Sequence, residues 1–363
     1  MKIAFFGSSL VSSYWNGAAT YYRGMLKALA ALGHEITFYE PDAFDRQRHR
    51  DIPDPPWASV VVYPATSDGW QAALANAGRS CDLLVKASGI GVFDRELENA
   101  VPAFCRSHAL CIYWDVDAPA TLESIGADPT HHLPRLIPLY DLVLTYGGGD
   151  PVVAGYRRIG ARVCLPIYNA LDPVAHHPVP GCDRFRCDLG FLGNRLPDRE
   201  ARVDEFFIGA AALSPTRSFL LGGAGWDDKP VPPNLRCIGH VGTGAHNAFF
   251  CSSLATLNVN RSSMARYGFS PPTRIFEAAG AGACLITDAW QGIEQFLEPG
   301  REVLVATDGE QVAALLAQLT PDDARRIGAA ARARILAHHT YEHRARQVHE
   351  LLGAMTEKGE AAA

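Results

Sequence analysis

The sequence predicts an α/β protein of two domains, each a parallel sheet wrapped by crossover helices. Three observations predict it. The chain has 363 residues, more than one hydrophobic core comfortably holds and enough for two domains of ordinary size. Short apolar runs ending in glycine or polar loops alternate with segments of helical period, as βαβ units require. The pattern breaks once, at the proline- and histidine-rich stretch 176–181, and then restarts.

Residues 2–6 (KIAFF) form the first expected strand, ending at Gly7-Ser8-Ser9. A helix over 18–32 is closed by Gly33, and a strand follows at 35–39. Strands at 83–87, 109–113, 142–146 and 162–165 continue the first sheet. After the break, strands are expected at 187–192, 218–222, 236–238, 255–259, 283–287 and 302–305, with helices at 272–281, 293–297, 322–337 and 340–352. The domains read as 1–175 and 182–337, followed by a helical segment 338–356 and a disordered tail 357–363.

Composition narrows the function. A net charge of -6 and a pI near 6.1 provide no general field for phosphodiester backbones, which disfavours bulk nucleic-acid binding. Nine scattered cysteines without a Cys-x-x-Cys pair suggest reduced core thiols rather than a zinc site or disulfide framework. Residues 1–7 run straight into a strand without the features of a secretion signal, and no stretch reaches the roughly 20 apolar residues of a membrane span. A cytoplasmic location is therefore expected. Neither domain shows Gly-x-Gly-x-x-Gly at its first strand end with an acidic residue about 20 positions on, which argues against a dinucleotide oxidoreductase.

The most informative stretch is 257–306. It contains Asn258-Val259-Asn260-Arg261, then Gly268-Phe269-Ser270-Pro271-Pro272-Thr273-Arg274-Ile275-Phe276-Glu277, then Leu285-Ile286-Thr287-Asp288. This reads as strand, loop, helix start and strand. Ser270 is expected to cap the helix with Pro271 in its first position, and a helix start of this kind suits a diphosphate. Thr273, Arg274 and Arg261 lie close to that start. One turn on, Glu277 can accept two hydrogen bonds from a ribose diol, although a solvated helix glutamate has the same spacing.

In the first domain, Asp115 and Asp117 form an Asp-x-Asp triplet after a strand. The pattern reads as a metal site, as an acceptor-contacting loop with Asp117 as general base, or as a plain turn. The acceptor-loop reading is preferred, with no metal. Gly7, Asn16 and Gly17 bracket the first loop, where missing side chains let backbone approach a substrate.

The string Arg-Ile-Phe-Glu-Ala-Ala-Gly-Ala-Gly-Ala-Cys-Leu-Ile-Thr-Asp over 274–288, continuing through Gly292-Ile293-Glu294-Gln295-Phe296-Leu297-Glu298-Pro299-Gly300, resembles the group 1 glycosyltransferase signature. The set Asn16-Gly17-Ala18-Ala19-Thr20-Tyr21-Tyr22-Arg23, Tyr113-Trp114-Asp115-Val116-Asp117-Ala118-Pro119, Leu189-Gly190-Phe191-Leu192-Gly193, Pro197-Asp198-Arg199 and Ala337-His338-His339-Thr340 resembles more closely the branch related to spore maturation protein CgeB. The resemblance implies the GT-B fold: two facing Rossmann-like domains with an interdomain cleft, the acceptor on 1–175, the donor on 182–337, and helix 338–356 crossing back to the first domain.

It also implies that Glu277 binds the donor ribose and that Arg195, preferred over Arg199, meets the donor diphosphate after Gly193. Asn258, Ser270, Thr273, Arg261 and Arg274 line the same side, and His240 lies near the nucleobase. Many group 1 enzymes carry another glutamate eight positions before the ribose-binding one, but here that position is Phe269.

The function implied is metal-independent, retaining transfer of a hexose from a nucleotide diphosphate sugar, with a UDP-sugar favoured and no further cofactor. The acceptor hydroxyl belongs to a glycan, a lipid-linked or a small molecule; the oligomeric state stays open. The alternatives are a sugar-nucleotide epimerase of the same fold and a non-catalytic nucleotide-sugar binder.

Overall fold

The computed structural model describes residues 1–105 and 109–362, with side chains described as far as Thr356. The expected tail 357–363 lies outside the residues whose side chains are described. The chain divides into two compact units, Met1–Tyr168 with the chain from Tyr341 onward, and Asn169–Thr340.

The first unit is built on seven strands: β1 (Lys2–Phe6), β2 (Glu35–Asp42), β3 (Ala58–Pro64), β4 (Leu83–Ala87), β5 (Leu110–Asp115), β6 (Leu142–Thr145) and β7 (Cys164–Pro166). All neighbours are parallel, in the order β3-β2-β1-β4-β5-β6-β7. Strands covered by helices on both faces must be apolar throughout, and every residue of β4 and β6 is buried. Within β4 one charge breaks the rule. Lys86 in β4 is fully buried, and its Nζ donates to Asp94 at 2.6 Å and to the Ala87 carbonyl at 2.7 Å, with Glu98 at 3.5 Å. These partners offset the cost of removing an ammonium from water.

The strand β3 was not anticipated. It lies at the sheet edge, half exposed and bounded by prolines, where proline does not interrupt a ladder. It draws β2 three residues beyond the expected end, pairing Glu40, Pro41 and Asp42 with Val62, Tyr63 and Pro64.

The second unit repeats the plan with β8 (Cys187–Leu192), β9 (Phe219–Gly222), β10 (Leu235–Cys237), β11 (Ser253–Asn258), β12 (Leu285–Asp288) and β13 (Leu304–Ala306). These are parallel in the order β10-β9-β8-β11-β12-β13. Its core packs Leu189, Phe191, Phe207, Phe219, Leu257 and Ile286 across the sheet face. The segment 169–175, read from sequence with the first domain, belongs to this unit. Leu171 bridges to Thr340, and its side chain lies where a Cβ on Gly280 would sit 2.3 Å away.

The nine cysteines are all unpaired; five are buried and three partly so, while Cys182 is exposed and departs from the expected core placement.

The last helix, Tyr341–Ala362, packs on the first, Ala19–Ala31, within the first unit. Close approach depends on Gly24, where a Cβ would lie 2.1 Å from the Tyr341 ring, and His34 Nε2 meets His349 Nδ1 at 3.0 Å. Gly24→Val should therefore lower stability by about 1–3 kcal/mol, the usual cost of overpacking. A urea midpoint equal to that of the parent protein would show that this contact does not hold the helix.

Candidate functional site

In each sheet the strand order reverses between the first and fourth strands of the unit, β1 and β4 or β8 and β11. The loops leaving the carboxyl ends of these strands flank the crevice where doubly wound sheets bind ligands. In the second unit they are the loop at Gly193 and the loop at Val259-Asn260-Arg261. A cavity of about 690 Å³ in this unit lies at the opposite edge, beside Arg186, Ser253 and Cys284, which sit at or just before the starts of β8, β11 and β12.

The loop after β8 is held by backbone. Gly193 donates to the Gly222 carbonyl at 2.8 Å, and Gly223 donates to Gly239 at 2.7 Å. At φ +133° Gly223 brings its Cα so near the Gly193 carbonyl that a Cβ would stand 2.1 Å from the oxygen, so only glycine fits. The loop after β11 is fixed by polar groups. Asn258 donates to Asn260 and to Thr287 at 3.1 Å each, the Asn260 N–H donates to Asp288, and Arg202 donates to Asp288 at 2.7 Å. Burial raises the pKa of Asp288, while the Arg202 charge counters it. Asn258 thus sits inside the scaffold. Arg202 and Asp288, which the sequence reading did not single out as site residues, position this loop.

The helix beyond begins later than expected. It runs Thr273–Gly280, with Pro272 at the cap, and Pro271 lies outside it. Ser270 does not cap it: its hydroxyl donates back to the Gly268 carbonyl at 2.9 Å. The left-handed backbone at Gly268 and Phe269, φ +68° and +47°, turns Ser270 away from the helix start. The Phe269 ring packs against Gly292, where a Cβ would lie 2.2 Å from it.

Glu277 is 4% exposed, not solvated. Arg274 donates to its Oε2 at 2.5 Å; His176 Nε2 stands 3.8 Å from Oε1 and His246 Nδ1 4.0 Å from Oε2. Burial pushes the carboxyl pKa up, but Arg274 foremost and then the two histidines hold it below the ordinary carboxylate range. His246 is pulled down to about 4 by burial and then by Arg274. Its Nε2 faces the Val241 carbonyl at 3.2 Å. A carbonyl can only accept, so the neutral ring carries its proton there and leaves a lone pair on Nδ1.

The arginines sort differently from the sequence reading. Arg195, the preferred diphosphate ligand, is held by Glu200 and Asp228 at 2.7 Å each. Arg199 donates to the Asn194 carbonyl and lies over the Phe191 ring, while its buried Nε has no protein partner. Its pKa falls to about 10 through burial and then through Arg274, with Arg261 adding to the effect. Arg199, Arg261 and Arg274 therefore form one field of mutually repelling cations. Arg261 also pairs with Asp198 at 2.6 Å. Thr273 is the first helical residue, and His240 is exposed in the loop after β10.

In the first unit, Asp115 is fully buried and accepts three hydrogen bonds. It accepts from Ser88 at 2.7 Å, from the Asp117 N–H at 2.9 Å and from the Tyr156 hydroxyl. These bonds make it a fixed part of the loop after β5. Asp117 is half-buried at the start of the helix Ala118–Ala127. Asn16 accepts from Ser8 and donates to the Ser9 and Ser12 carbonyls, binding the first loop to itself. Gly7 makes room for the Phe38 ring, 2.5 Å from where a Cβ would be, and Gly17 is exposed with open space beside it. Exposed Tyr14 and Trp15 stand in the same loop, Tyr14 stacked on His49.

Residues 199–350 match a family model described as glycosyl transferase-like. Comparison with curated protein sequences gives no match. Among solved structures, the chain is similar to sucrose-phosphate synthase from Thermosynechococcus elongatus, with a TM-score of 0.71 at 14% identity over 99% of this chain and 100% of that one. It is also similar to HepE of Anabaena in complex with UDP and glucose (TM-score 0.66, 14% identity, 98% and 100% covered). A third is an alpha-glucosyltransferase in complex with UDP-glucose and DNA (0.68, 12%, 97% and 99%). No helix among the described residues is long and apolar enough to cross a membrane.

The protonation state of the site is testable. A folded-state value near 4 for His246, against an ordinary 6.5, means that the unfolded chain takes up its proton first as pH falls. The contribution of this neutral ring is present above pH 6.5 and is lost between 6.5 and 4. Urea midpoints should fall less steeply over that window in His246→Asn than in the parent; parallel curves would disprove the buried neutral state. The chain thus has two parallel-sheet α/β units of the GT-B fold, and residues 199–350 match a glycosyl transferase-like family model.

Proposed function

We propose that the protein transfers a sugar from a nucleotide diphosphate sugar to an acceptor hydroxyl. The observation that carries this reading is the buried, ionised Glu277 carboxylate paired with Arg274, in the field that Arg274 shares with Arg199 and Arg261. A carboxylate that accepts from hydroxyls beside guanidinium groups that donate to anions matches a ribose carrying a diphosphate. As the glycosidic bond breaks, negative charge grows on the leaving diphosphate, and fixed guanidinium donors stabilise it without a metal. Arg199, with an unpartnered Nε, suits this better than Arg195, which two carboxylates already hold.

The UDP and UDP-glucose complexes of HepE and of the alpha-glucosyltransferase favour a UDP-hexose as donor. Retention of configuration and membership of the CgeB-like branch rest on the resemblance. Phe269 brings no carboxylate to the donor sugar. On the first unit, Asp117 is the general base of this reading. Exposed Tyr14 and Trp15 offer faces for a glycan or another acceptor with an apolar surface. The net charge of -6 sets this chain apart from a DNA-modifying role.

A thermal-shift panel of UDP-, GDP-, ADP- and dTDP-sugars tests the donor, because a ligand of the folded state raises the melting temperature. A UDP-sugar should give the largest shift, and none from any of the four would end the donor-site reading. Loss of a charge-assisted hydrogen bond is worth about 1.5–3 kcal/mol. Glu277→Ala and Arg199→Ala should therefore each weaken UDP-glucose more than about tenfold, and Arg195→Ala far less. Release of UDP should depend on an acceptor; an epimerised nucleotide sugar formed without one would replace transfer by epimerisation.

A further inference from the structure

The stretch 176–181 looks like a linker in the sequence, yet its first residue is 2% exposed and faces the carboxylate of the site. His176 is brought there by its N–H bond to the Asp172 carbonyl at 2.9 Å and by Gly280, where a Cβ would come within 3.0 Å of the His176 carbonyl. The result is a group of three, His176, His246 and Glu277, whose ligand atoms all lie within 4.8 Å of one another. Both histidine nitrogens on the inner side, His176 Nε2 and His246 Nδ1, are buried without a hydrogen-bond partner.

An unpartnered nitrogen pair beside an ionised carboxylate calls for a donor or a cation between them. We propose that His176, His246 and Glu277 bind a divalent transition metal ion of the zinc class. Two imidazoles and one carboxylate are an established zinc donor set, and three protein ligands leave a fourth position for water. The outer partners are already in place. His246 turns its Nε2–H to the Val241 carbonyl, as a ligating histidine does, and presents Nδ1 as a lone pair. Arg274 holds Oε2 of Glu277, which orients the carboxylate and leaves Oε1, the atom nearest His176, for the ion.

Bonds of about 2.0–2.1 Å place tetrahedral ligand atoms roughly 3.3 Å apart. Small side-chain rotations accomplish this from the present arrangement, in which the ligand atoms lie within 4.8 Å of one another and His176 Nε2 stands 3.8 Å from Oε1. The site stands without the nucleotide reading. If both hold, one Glu277 carboxylate serves two ligands, and the ion blocks the ribose rather than assisting transfer.

Co²⁺ titration of the nucleotide-free protein tests the proposal, followed by absorption and by equilibrium dialysis. The parent protein should take up one equivalent with nitrogen and oxygen ligation and no thiolate charge-transfer band. His176→Ala and His246→Ala should each weaken that uptake by more than the roughly 10–100-fold that an outer-shell partner is worth. His176→Gln and His246→Gln serve if the alanine variants do not keep the parent's circular dichroism. Failure of the folded parent to bind Co²⁺ or Zn²⁺ would overturn the site. Uptake that is unchanged in the variants, or that shows thiolate bands, would overturn it too by assigning the metal to the cysteines.

Discussion

In an all-parallel sheet, each strand must be re-entered from the same edge, so every connection crosses a face of the sheet and every strand-to-helix loop emerges along the opposite edge. Both units obey this constraint, and the placement of chemistry depends on it. Gly193, Arg261 and the approach to Thr273 come from distant parts of the second unit. They are gathered because β8, β11 and the elements after them end on one side. The same constraint makes the strands apolar on both faces and drives polar groups to the carboxyl edge, where Glu40, Asp115 and Asp288 each tie down a loop.

Electrostatics does the rest at that edge in the second unit. A carboxylate removed from water favours its neutral form, and Glu277 stays ionised because Arg274 touches it. That contact also decides which cations stay available. Arg195 is committed to Glu200 and Asp228, while Arg199 is pushed toward deprotonation by burial and by its cationic neighbours. A field of like charges held together in this way is costly until an anion enters it. The site is therefore better described as a prepared deficit of negative charge than as a collection of separate ligands.

How much of this could be read from the sequence varied with the range of the forces involved. Strands such as β1, β4 and β8 follow from local apolar runs and glycine stops, and they fall where periodicity puts them. The edge strand β3 did not emerge, because half-exposed residues between prolines carry little pattern. The Ser270 cap was a sound local inference that failed. Gly268 and Phe269 take left-handed dihedrals imposed by Gln291 and Gly292, and these reach the helix start through space rather than along the chain. Asp115 looked like half of an Asp-x-Asp pair, yet Ser88 and Tyr156, far away in sequence, donate to its two oxygens.

The sequence by itself determined the α/β class and the twofold repetition of the plan and pointed to Glu277, because hydrophobic period, glycine placement and a contiguous motif are local properties that survive without coordinates. Only the tertiary structure decided which arginine keeps an unpartnered donor, that Asp115 is buried and held by Ser88 and Tyr156, and that His176 and His246 face Glu277. Those three residues lie 70 and 31 positions apart (246 − 176 and 277 − 246), and no spacing rule links them. Their meeting follows from Leu171 and His176 packing closely against Gly280, a contact made by folding and invisible in the order of residues.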